Sequence, residues 1–312
     1  MTDASWRPGA ALDALKARAD LLRTVRAFFD GRGVLEVSTP SLAAHAVSDE
    51  HIDAIEVPGH GWLQTSPEYH MKRLLAAGSG PIYQIARAFR DGEAGARHNP
   101  EFTLLEWYRP GFDLDALVDE CLALLTPLCA AGAERHRFRE LFRAVTGLDP
   151  LTTTATALAD RAAGAGAPAG LSGPQAVDYL MATVVEPALD PAVLTVVVDF
   201  PGWAAALAQT TEDDDGATVA RRFEIYHRGL ELANGYQELL DADEQARRFA
   251  RDNEKRRAAG KRPMTPDPYL LAALRAGLPP CSGVALGLER LHMALSGAGR
   301  IDQVWPFPRD RA

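Results

Sequence analysis

The chain has 312 residues, of which 47% are hydrophobic, and it carries a formal net charge of −9 at pH 7. That length is enough for a single domain with a substantial core. The negative charge argues against a broad basic surface of the kind that binds nucleic acids, so tRNA binding is not expected.

Targeting signals and disulfides are not expected either. No apolar run is long enough to span a bilayer, and residues 1–8 lack the apolar core of a signal peptide. Cys121, Cys129 and Cys281 have no zinc-site spacing and are odd in number, so we interpret them as reduced thiols. Together these features predict a cytoplasmic protein that does not associate with membranes.

The first predicted elements are a helix and a short strand. Apolar residues recur at helical spacing between residues 11 and 32, and Gly33 ends the helix. Residues 34–40 then have the composition of a strand that ends at Pro40. Taken alone, the pattern is that of an ordinary amphipathic helix packed on a core strand.

The most informative segment is a predicted hairpin. Residues 82–89 and 102–108 alternate as strands do, and a polar loop with Arg90, Arg97 and His98 joins them. One face of the second strand carries Phe102, Leu104, Glu106 and Tyr108. The hairpin thus offers cations for phosphate, an aromatic ring for a base, and a carboxylate with a phenol for an amine. This set suits activation of an amino acid by ATP, whereas a half-buried hairpin without such a function is the simpler alternative.

A small helical insertion is predicted to follow, at about residues 111–192, within one domain that covers residues 1–312. Residues 111–150 carry an apolar stripe at helical spacing, and residues 151–192 are rich in Ala, Gly and Thr. Residues 194–201 are then typical of a buried strand that returns the chain to the main sheet.

Three glutamates, Glu224, Glu231 and Glu238, recur at intervals of seven residues. On one helix they would form a solvated stripe, but Gly229 and Gly235 argue against a continuous helix. We therefore place them on strands. Hard cations such as Mg²⁺ bind carboxylate oxygens and substrate phosphates together, so these glutamates are candidate metal ligands.

The last predicted unit is a strand of small residues that enters a helix. Gly283, Ala285 and Gly287 would let the backbone approach a ligand closely, and Arg290 follows in the first turn of the helix. Ordinary strand packing is the commoner meaning of such a pattern.

The hairpin closely resembles motif 2 of class II aminoacyl-tRNA synthetases of the lysyl branch, in which Arg-x-Glu precedes a loop that ends in His-Asn-Pro-Glu-Phe-Thr, here residues 98–103. Residues 283–290 resemble motif 3, and residues 11–40 resemble motif 1, which forms the dimer interface in that family. The resemblance runs from about residue 11 to the C-terminus. It implies an α/β fold of the α+β type, with an antiparallel sheet flanked by helices.

The lysyl-tRNA synthetases carry an anticodon-binding domain before this core, and the present chain has no room for one. The chain is more similar to their free-standing paralogues, the elongation factor P–(R)-β-lysine ligases, notably at residues 32–37, 65–75, 105–110 and 281–287. This resemblance implies an ATP- and Mg²⁺-dependent, homodimeric ligase. It would activate (R)-β-lysine as an adenylate and transfer it to a lysine of elongation factor P. A lysine-activating enzyme with another acceptor, such as tRNA or a small amine, and a non-catalytic paralogue stay open.

The resemblance also implies roles for individual residues. Arg90 and Arg290 would stabilise the charge on the phosphates during catalysis. The substrate would be bound by Ser66, Pro67, Glu68, Glu106, Tyr108, Asn234, Glu238 and Ala285. ATP would be bound by Arg90, Asp91, Gly92, His98, Asn99, Phe102, Glu231, Leu232, Gly287 and Arg290. Glu224 and Glu231 would ligate Mg²⁺.

The sequence departs from the family pattern at a few positions. Gly92 stands where motif 2 has its glutamate, and Glu93 follows at once. Glu289 replaces the more usual aspartate before Arg290. Ala285 stands where the tRNA synthetases have glycine, which we expect to favour β-lysine over α-lysine.

Two basic segments are candidates for contact with a partner protein. They are Lys72 with Arg73, and residues 251–262. A solvated helix face is the simpler interpretation of such charge runs.

Overall fold

The structure, a computed structural model, describes residues 6–309 and 311–312. The helices are α1 (Leu12–Asp30), α2 (Glu68–Ala76), α3 (Leu114–Cys129), α4 (Phe138–Thr146), α5 (Ala155–Gly164), α6 (Gly173–Leu180), α7 (Ala242–Ala258), α8 (Pro268–Gly277) and α9 (Leu288–Ser296). The strands are β1 (Leu35–Glu36), β2 (Leu42–Ala43), β3 (Glu56–Val57), β4 (Gly61–Leu63), β5 (Ile82–Phe89), β6 (Glu101–Pro110), β7 (Ala133–Arg137), β8 (Leu194–Pro201), β9 (Thr210–Glu212), β10 (Thr218–His227), β11 (Leu230–Gln237) and β12 (Cys281–Gly287).

The described residues form two compact units, one from the residues up to 117 together with those from 238 onward and the other from residues 118–237. In the first unit, β5 and β6 form the antiparallel hairpin expected from the sequence. Strand β12 leads into α9, as expected, and pairs antiparallel with the other edge of β6, which the sequence did not predict. Strand β1 pairs parallel with β5, and β2, β4 and β3 form a separate small sheet.

Aromatic packing fixes α1 against this sheet. The Phe29 ring stacks on Tyr83 with the centroids 4.4 Å apart and meets Trp107 edge-on at 5.3 Å. All three side chains are buried. The predicted helix is confirmed, whereas the strand expected over residues 34–40 is only two residues long.

The second unit contains another hairpin, β10 with β11. Its turn is Arg228-Gly229, and both residues have positive φ, 51° and 69°. Paired positive φ values match the right-handed twist of the flanking strands, which explains the glycine. Strand β8 pairs antiparallel with β10, and β7 pairs parallel with β8.

Strand β7 was not predicted, since residues 111–150 were expected to be helical throughout. Its sequence, Ala-Glu-Arg-His-Arg, is almost entirely polar, and four of its five residues are exposed. An exposed edge strand of this kind lacks the apolar alternation by which strands are found in a sequence.

The basic segment 251–262 serves largely to hold its own unit together. Arg256 is only 1% exposed. Its guanidinium donates to the carbonyls of Asp49, Ile52 and Arg262 and pairs with Asp53 at 2.8 Å. The structure thus places Arg256 in the interior rather than on a contact surface. Within the described residues, no helix combines the length and the apolar character needed to cross a membrane.

Asn253 provides a test of this region. Its side-chain amide donates to Met264 O at 2.8 Å and accepts from Met264 N at 2.7 Å, and Asn253 is buried. We expect Asn253→Ala to lower the free energy of unfolding by about 2–4 kcal/mol, because two buried backbone groups lose their partners. Urea unfolding measures this, with the exposed neighbour Glu254→Ala as the control. Equal stability of the two variants would contradict the assignment.

Candidate active site

The first unit holds a buried carboxylate with two hydroxyl donors. Tyr108 OH donates to Glu106 Oε1 at 2.7 Å, and Ser66 Oγ donates to Glu106 Oε2 at 2.8 Å. Glu106 and Tyr108 are two residues apart on β6, so their side chains share a face. Both are 2% exposed. The sequence predicted this proximity.

Beside this group, one lysine joins two further carboxylates. Lys72 Nζ lies 2.6 Å from Glu68 Oε1 and 2.5 Å from Glu238 Oε2. Glu68 and Lys72 are four residues apart on α2 and therefore lie on one helix face. Glu68, Glu106 and Glu238, all predicted to bind substrate, are thus brought together with Lys72. Pro67 precedes α2 as its N-cap residue.

The sequence analysis placed Lys72 at the surface, either as a candidate for contact with a partner or, more simply, on a solvated helix face, and both interpretations are wrong for this residue. It is 2% exposed, whereas Arg73 is partly exposed and lies over the Tyr269 ring at 5.0 Å. The spacing from Glu68 was the only signal in the sequence that could have indicated an ion pair at this position.

Burial raises the pKa of two of the carboxylates in this pocket. Burial, with repulsion from Glu68, raises the pKa of Glu106 to about 8, against the opposing hydrogen bonds from Tyr108 and Ser66. Burial also raises the pKa of Glu238, although the Lys72 ammonium opposes it. Buried negative charge is costly unless it is paired. A ligand with ammonium groups would supply the missing counter-charge.

Strand β12 forms one wall of this pocket. Its register with β6 places Gly283 opposite Tyr108 and Ala285 opposite Glu106. A Cβ at Gly283 would lie 2.2 Å from the Tyr108 ring and 2.7 Å from Glu238 Oε1. Glycine is therefore needed here to make room for protein side chains, rather than for a ligand as the sequence analysis expected. Ala285 is two residues further along β12, so its methyl group lies on the same face of the strand as residue 283.

One of the predicted phosphate-binding residues, Arg90, lies against Phe102. The Arg90 guanidinium lies over the Phe102 ring, 4.9 Å from its centroid. Arg90 Nε is buried and has no hydrogen-bond partner among the described residues. A buried donor without an acceptor suits an anionic ligand. Arg90 also lies 3.6 Å from Glu93, and Gly92 adopts a positive φ of 76° between them.

Arg290 and His98 meet at the same end of the first unit. Arg290 Nη2 lies 2.7 Å from His98 Nε2. Gly287 lies beside Arg290, whose side chain is 3.7 Å from the position of a Cβ at that glycine. The guanidinium groups of Arg90 and Arg290 and the ring of Phe102 are of the kinds that hold a nucleotide by charge and stacking.

Two other predicted nucleotide contacts are engaged within the protein. The Asn99 amide donates to Glu101 O at 2.6 Å and accepts from Arg309 N at 3.1 Å. Asp91 accepts from the backbone N–H of Gly92 at 2.9 Å. Their proposed contacts with ATP stay predictions, since these bonds give both side chains a role in shaping the loop.

The second unit brings Glu224, Glu231 and Asn234 onto one face of its hairpin. Glu224 lies opposite Asn234, and Tyr226 lies opposite Glu231. Between these pairs the register shifts by one residue, and Leu232 has no partner on β10. Because of this bulge, Glu231 lies on the same face as Asn234. The Asn234 amide donates to Glu224 Oε1 at 3.3 Å.

Glu224 also accepts hydrogen bonds from Arg222 and Tyr226, two contacts that the sequence analysis missed although all three alternate along β10. Its pKa is raised by burial and by Glu231, with Arg222 opposing. Asn234 Oδ1 is a buried acceptor without a partner among the described residues. Two carboxylates and an amide oxygen match the ligand preference of Mg²⁺, which also takes ligands from substrate phosphates. No cluster of three or more His, Cys, Asp or Glu side chains placed for a metal occurs within the described part of the chain.

Comparison with known proteins identifies the family of the chain. The chain matches the family described as tRNA synthetases class II (D, K and N) over residues 4–311. It is 46% identical over 327 residues to the elongation factor P–(R)-β-lysine ligase of Vibrio cholerae, with 100% of both chains covered. It is 45% identical over 315 residues to the protein of the same name from Mannheimia succiniciproducens, with 97% of each chain covered.

A third relative of that name, from Enterobacter sp., is 45% identical over 323 residues, with 99% of each chain covered. Similarity of this degree over the full length extends far beyond the motifs. Together with the hairpin, the small-residue strand and the buried carboxylates, it shows that the chain belongs to the class II tRNA synthetase family of the D, K and N type.

Proposed function

We propose that this chain is an ATP-dependent, AMP-forming ligase that activates (R)-β-lysine and transfers it to the ε-amine of a lysine on elongation factor P. The names of its full-length relatives support this substrate pair. The observation that carries the proposal is the pocket in which Glu68 and Glu238 share the Lys72 ammonium, while Glu106 beside them accepts hydrogen bonds from Tyr108 and Ser66.

The charge of this pocket matches a substrate with two amines. Lys72 brings one positive charge to three carboxylates, so this group of four side chains is net negative when all are ionised. (R)-β-Lysine carries two ammonium groups. We assign its backbone-side ammonium to Glu68 and its distal ammonium to Glu106, Tyr108 and Glu238. A neutral side chain would leave buried charge unpaired, which is the basis of discrimination.

The chemistry needs no enzymic nucleophile. The substrate carboxylate attacks the α-phosphorus of ATP, pyrophosphate leaves, and the acceptor amine then displaces AMP from the mixed anhydride. Arg90 and Arg290 would stabilise negative charge on the phosphates, and the base would stack on Phe102. Such catalysis rests on positioning and electrostatic stabilisation.

Several finer features belong to the same proposal. Glu224 and Glu231 would hold Mg²⁺, with Asn234 as a neighbouring oxygen donor or as a contact for the substrate carboxylate. Leu232 and Gly287 would line the nucleotide, and His98 and Asn99 would contact it. The chain would act as a homodimer through α1 and β1. Because the acceptor is a translation factor, we place the reaction in the cytoplasm.

The proposal is tested by the intact mass of elongation factor P after incubation with the protein, ATP, Mg²⁺ and either (R)-β-lysine or α-lysine. We expect a gain of one lysyl unit, larger with β-lysine and absent without ATP. No gain, but amino-acid-dependent pyrophosphate exchange, would indicate a different acceptor. Failure of both reactions would indicate a non-catalytic protein and contradict the proposal.

The raised pKa of Glu106 predicts a pH dependence. Substrate binding needs the ionised carboxylate, so kcat/KM for (R)-β-lysine in pyrophosphate exchange should fall as the pH drops below about 8. Glu106→Gln should lower kcat/KM about tenfold or more at high pH and weaken this acid-side decline. The exposed Glu254→Gln is the control. Identical pH profiles for the wild type and Glu106→Gln would show that Glu106 is not the titrating group.

The Ala285 methyl group should influence which lysine isomer is activated, because Ala285 lies opposite Glu106. Ala285→Gly enlarges the pocket by one methyl group. We expect it to raise α-lysine activation relative to β-lysine about tenfold, as measured by the ratio of kcat/KM values. Val284→Ala, a buried truncation opposite Trp107 on the same strand, should leave the ratio unchanged. An unchanged ratio in Ala285→Gly would refute this role.

A further inference from the structure

Phe102 and Arg290 belong to different elements, and the residues beside them are joined directly. Thr103 follows Phe102 on β6, and Glu289 precedes Arg290 on α9. The backbone N–H of Thr103 donates to Glu289 Oε2 at 2.8 Å. Both residues are buried, with exposures of 4% and 2%.

The Thr103 N–H bonds to a side chain because the pairing between β6 and β12 ends just before it. The pairing of β12 with β6 runs only as far as Gly287 opposite Leu104. At the next residue the chain turns into α9, so no strand carbonyl continues the ladder to Thr103. A buried N–H without an acceptor would be costly, and the Glu289 carboxylate takes the place of the missing carbonyl.

A carboxylate in this position needs a counter-ion, and α1 provides it. Arg18 Nη2 lies 2.8 Å from Glu289 Oε1 and donates to Thr103 Oγ1 at 2.8 Å. The Arg18 guanidinium also lies 5.2 Å from the Trp305 ring centroid, and Arg87 lies 4.5 Å from the same centroid. Arg18 is thereby held on several sides, and its side chain is only 14% exposed.

We propose that the Arg18–Glu289 ion pair is a positioning device for ATP: it fixes the separation of Phe102 and Arg290 and so sets the affinity for the nucleotide. Neither residue touches the reacting atoms. This inference deepens the proposed function and rests on its nucleotide site. Loss of the Arg18 charge leaves Glu289 buried and unpaired, which weakens its hold on Thr103 and lets the two nucleotide-binding side chains drift apart.

The test is the Arg18→Met variant in pyrophosphate exchange. KM for ATP should rise about tenfold or more, while KM for (R)-β-lysine stays within about twofold, because the amino-acid pocket does not use this pair. Arg23→Met is the matched control, since Arg23 lies on the same helix, is 72% exposed and pairs only locally with Asp20. It should leave both KM values unchanged.

Milder variants cover the case in which Arg18→Met does not fold. Arg18→Lys keeps the charge and should restore most of the ATP affinity, whereas Glu289→Gln keeps an acceptor for Thr103 but loses the ion pair. The double variant Arg18→Met/Glu289→Gln should bind ATP no worse than Arg18→Met alone, because the pair acts as a unit.

Calorimetric titration with ATP alone separates this inference from the proposed function. The wild-type protein should bind ATP about tenfold or more tightly than Arg18→Met, even if elongation factor P proves not to be the acceptor. A lower melting temperature with unchanged ATP affinity would show a merely structural ion pair and overturn the proposal. An equal rise in both KM values would overturn it as well.

Discussion

The constraint on which the site depends is the grouping of three carboxylates, those of Glu68, Glu106 and Glu238, with one lysine ammonium. Glu106 and Glu238 are buried, and Glu68 is half-buried. A charge removed from water needs a partner, and Lys72 can pair with only some of the oxygens of Glu68 and Glu238. Glu106 is satisfied by hydroxyl donors instead, which hold it in place without neutralising it. The protein thus retains a negatively charged pocket. The ammonium groups of a diamino acid can pair with its carboxylates, and this pairing contributes to the free energy of binding.

The backbone around the pocket is shaped to permit this concentration of charge. Tyr108 occupies the space where residue 283 would otherwise carry a side chain, so glycine at that position is a packing requirement. The hydroxyl of Tyr108 can then reach Glu106 from the same strand face. A rigid central strand holds both groups, and this spares the ligand the cost of ordering them when it binds.

Much of this architecture could be predicted from the sequence because it is local. The β5–β6 hairpin, the turn at Arg228-Gly229 and the entry from β12 into α9 all follow from alternation and from glycine placement. The placement of Glu231 on the same face as Glu224 and Asn234 was harder to predict, since it depends on an irregular register that no periodicity reveals. Burial of Lys72 was also missed, because adjacent cations in a helix usually lie on its exposed face.

Contacts between segments that are distant in the sequence could not be predicted either. The ion pair of Arg18 with Glu289 joins the first helix to the last, and neither residue has a neighbour in the sequence that indicates its partner. Strand β7 was hidden for a different reason, since an edge strand needs backbone pairing more than apolar side chains.

The motif 2 loop shows how a departure from a family pattern can agree with local geometry. Gly92 adopts a positive φ of 76°, a conformation in which a glutamate would be strained. The following residue supplies the carboxylate, and Glu93 lies 3.6 Å from Arg90. The loop therefore keeps an acidic group beside its arginine although the sequence position has shifted by one. Because Arg90 Nε still lacks a partner among the described residues, this neighbour leaves the arginine available to an anionic ligand.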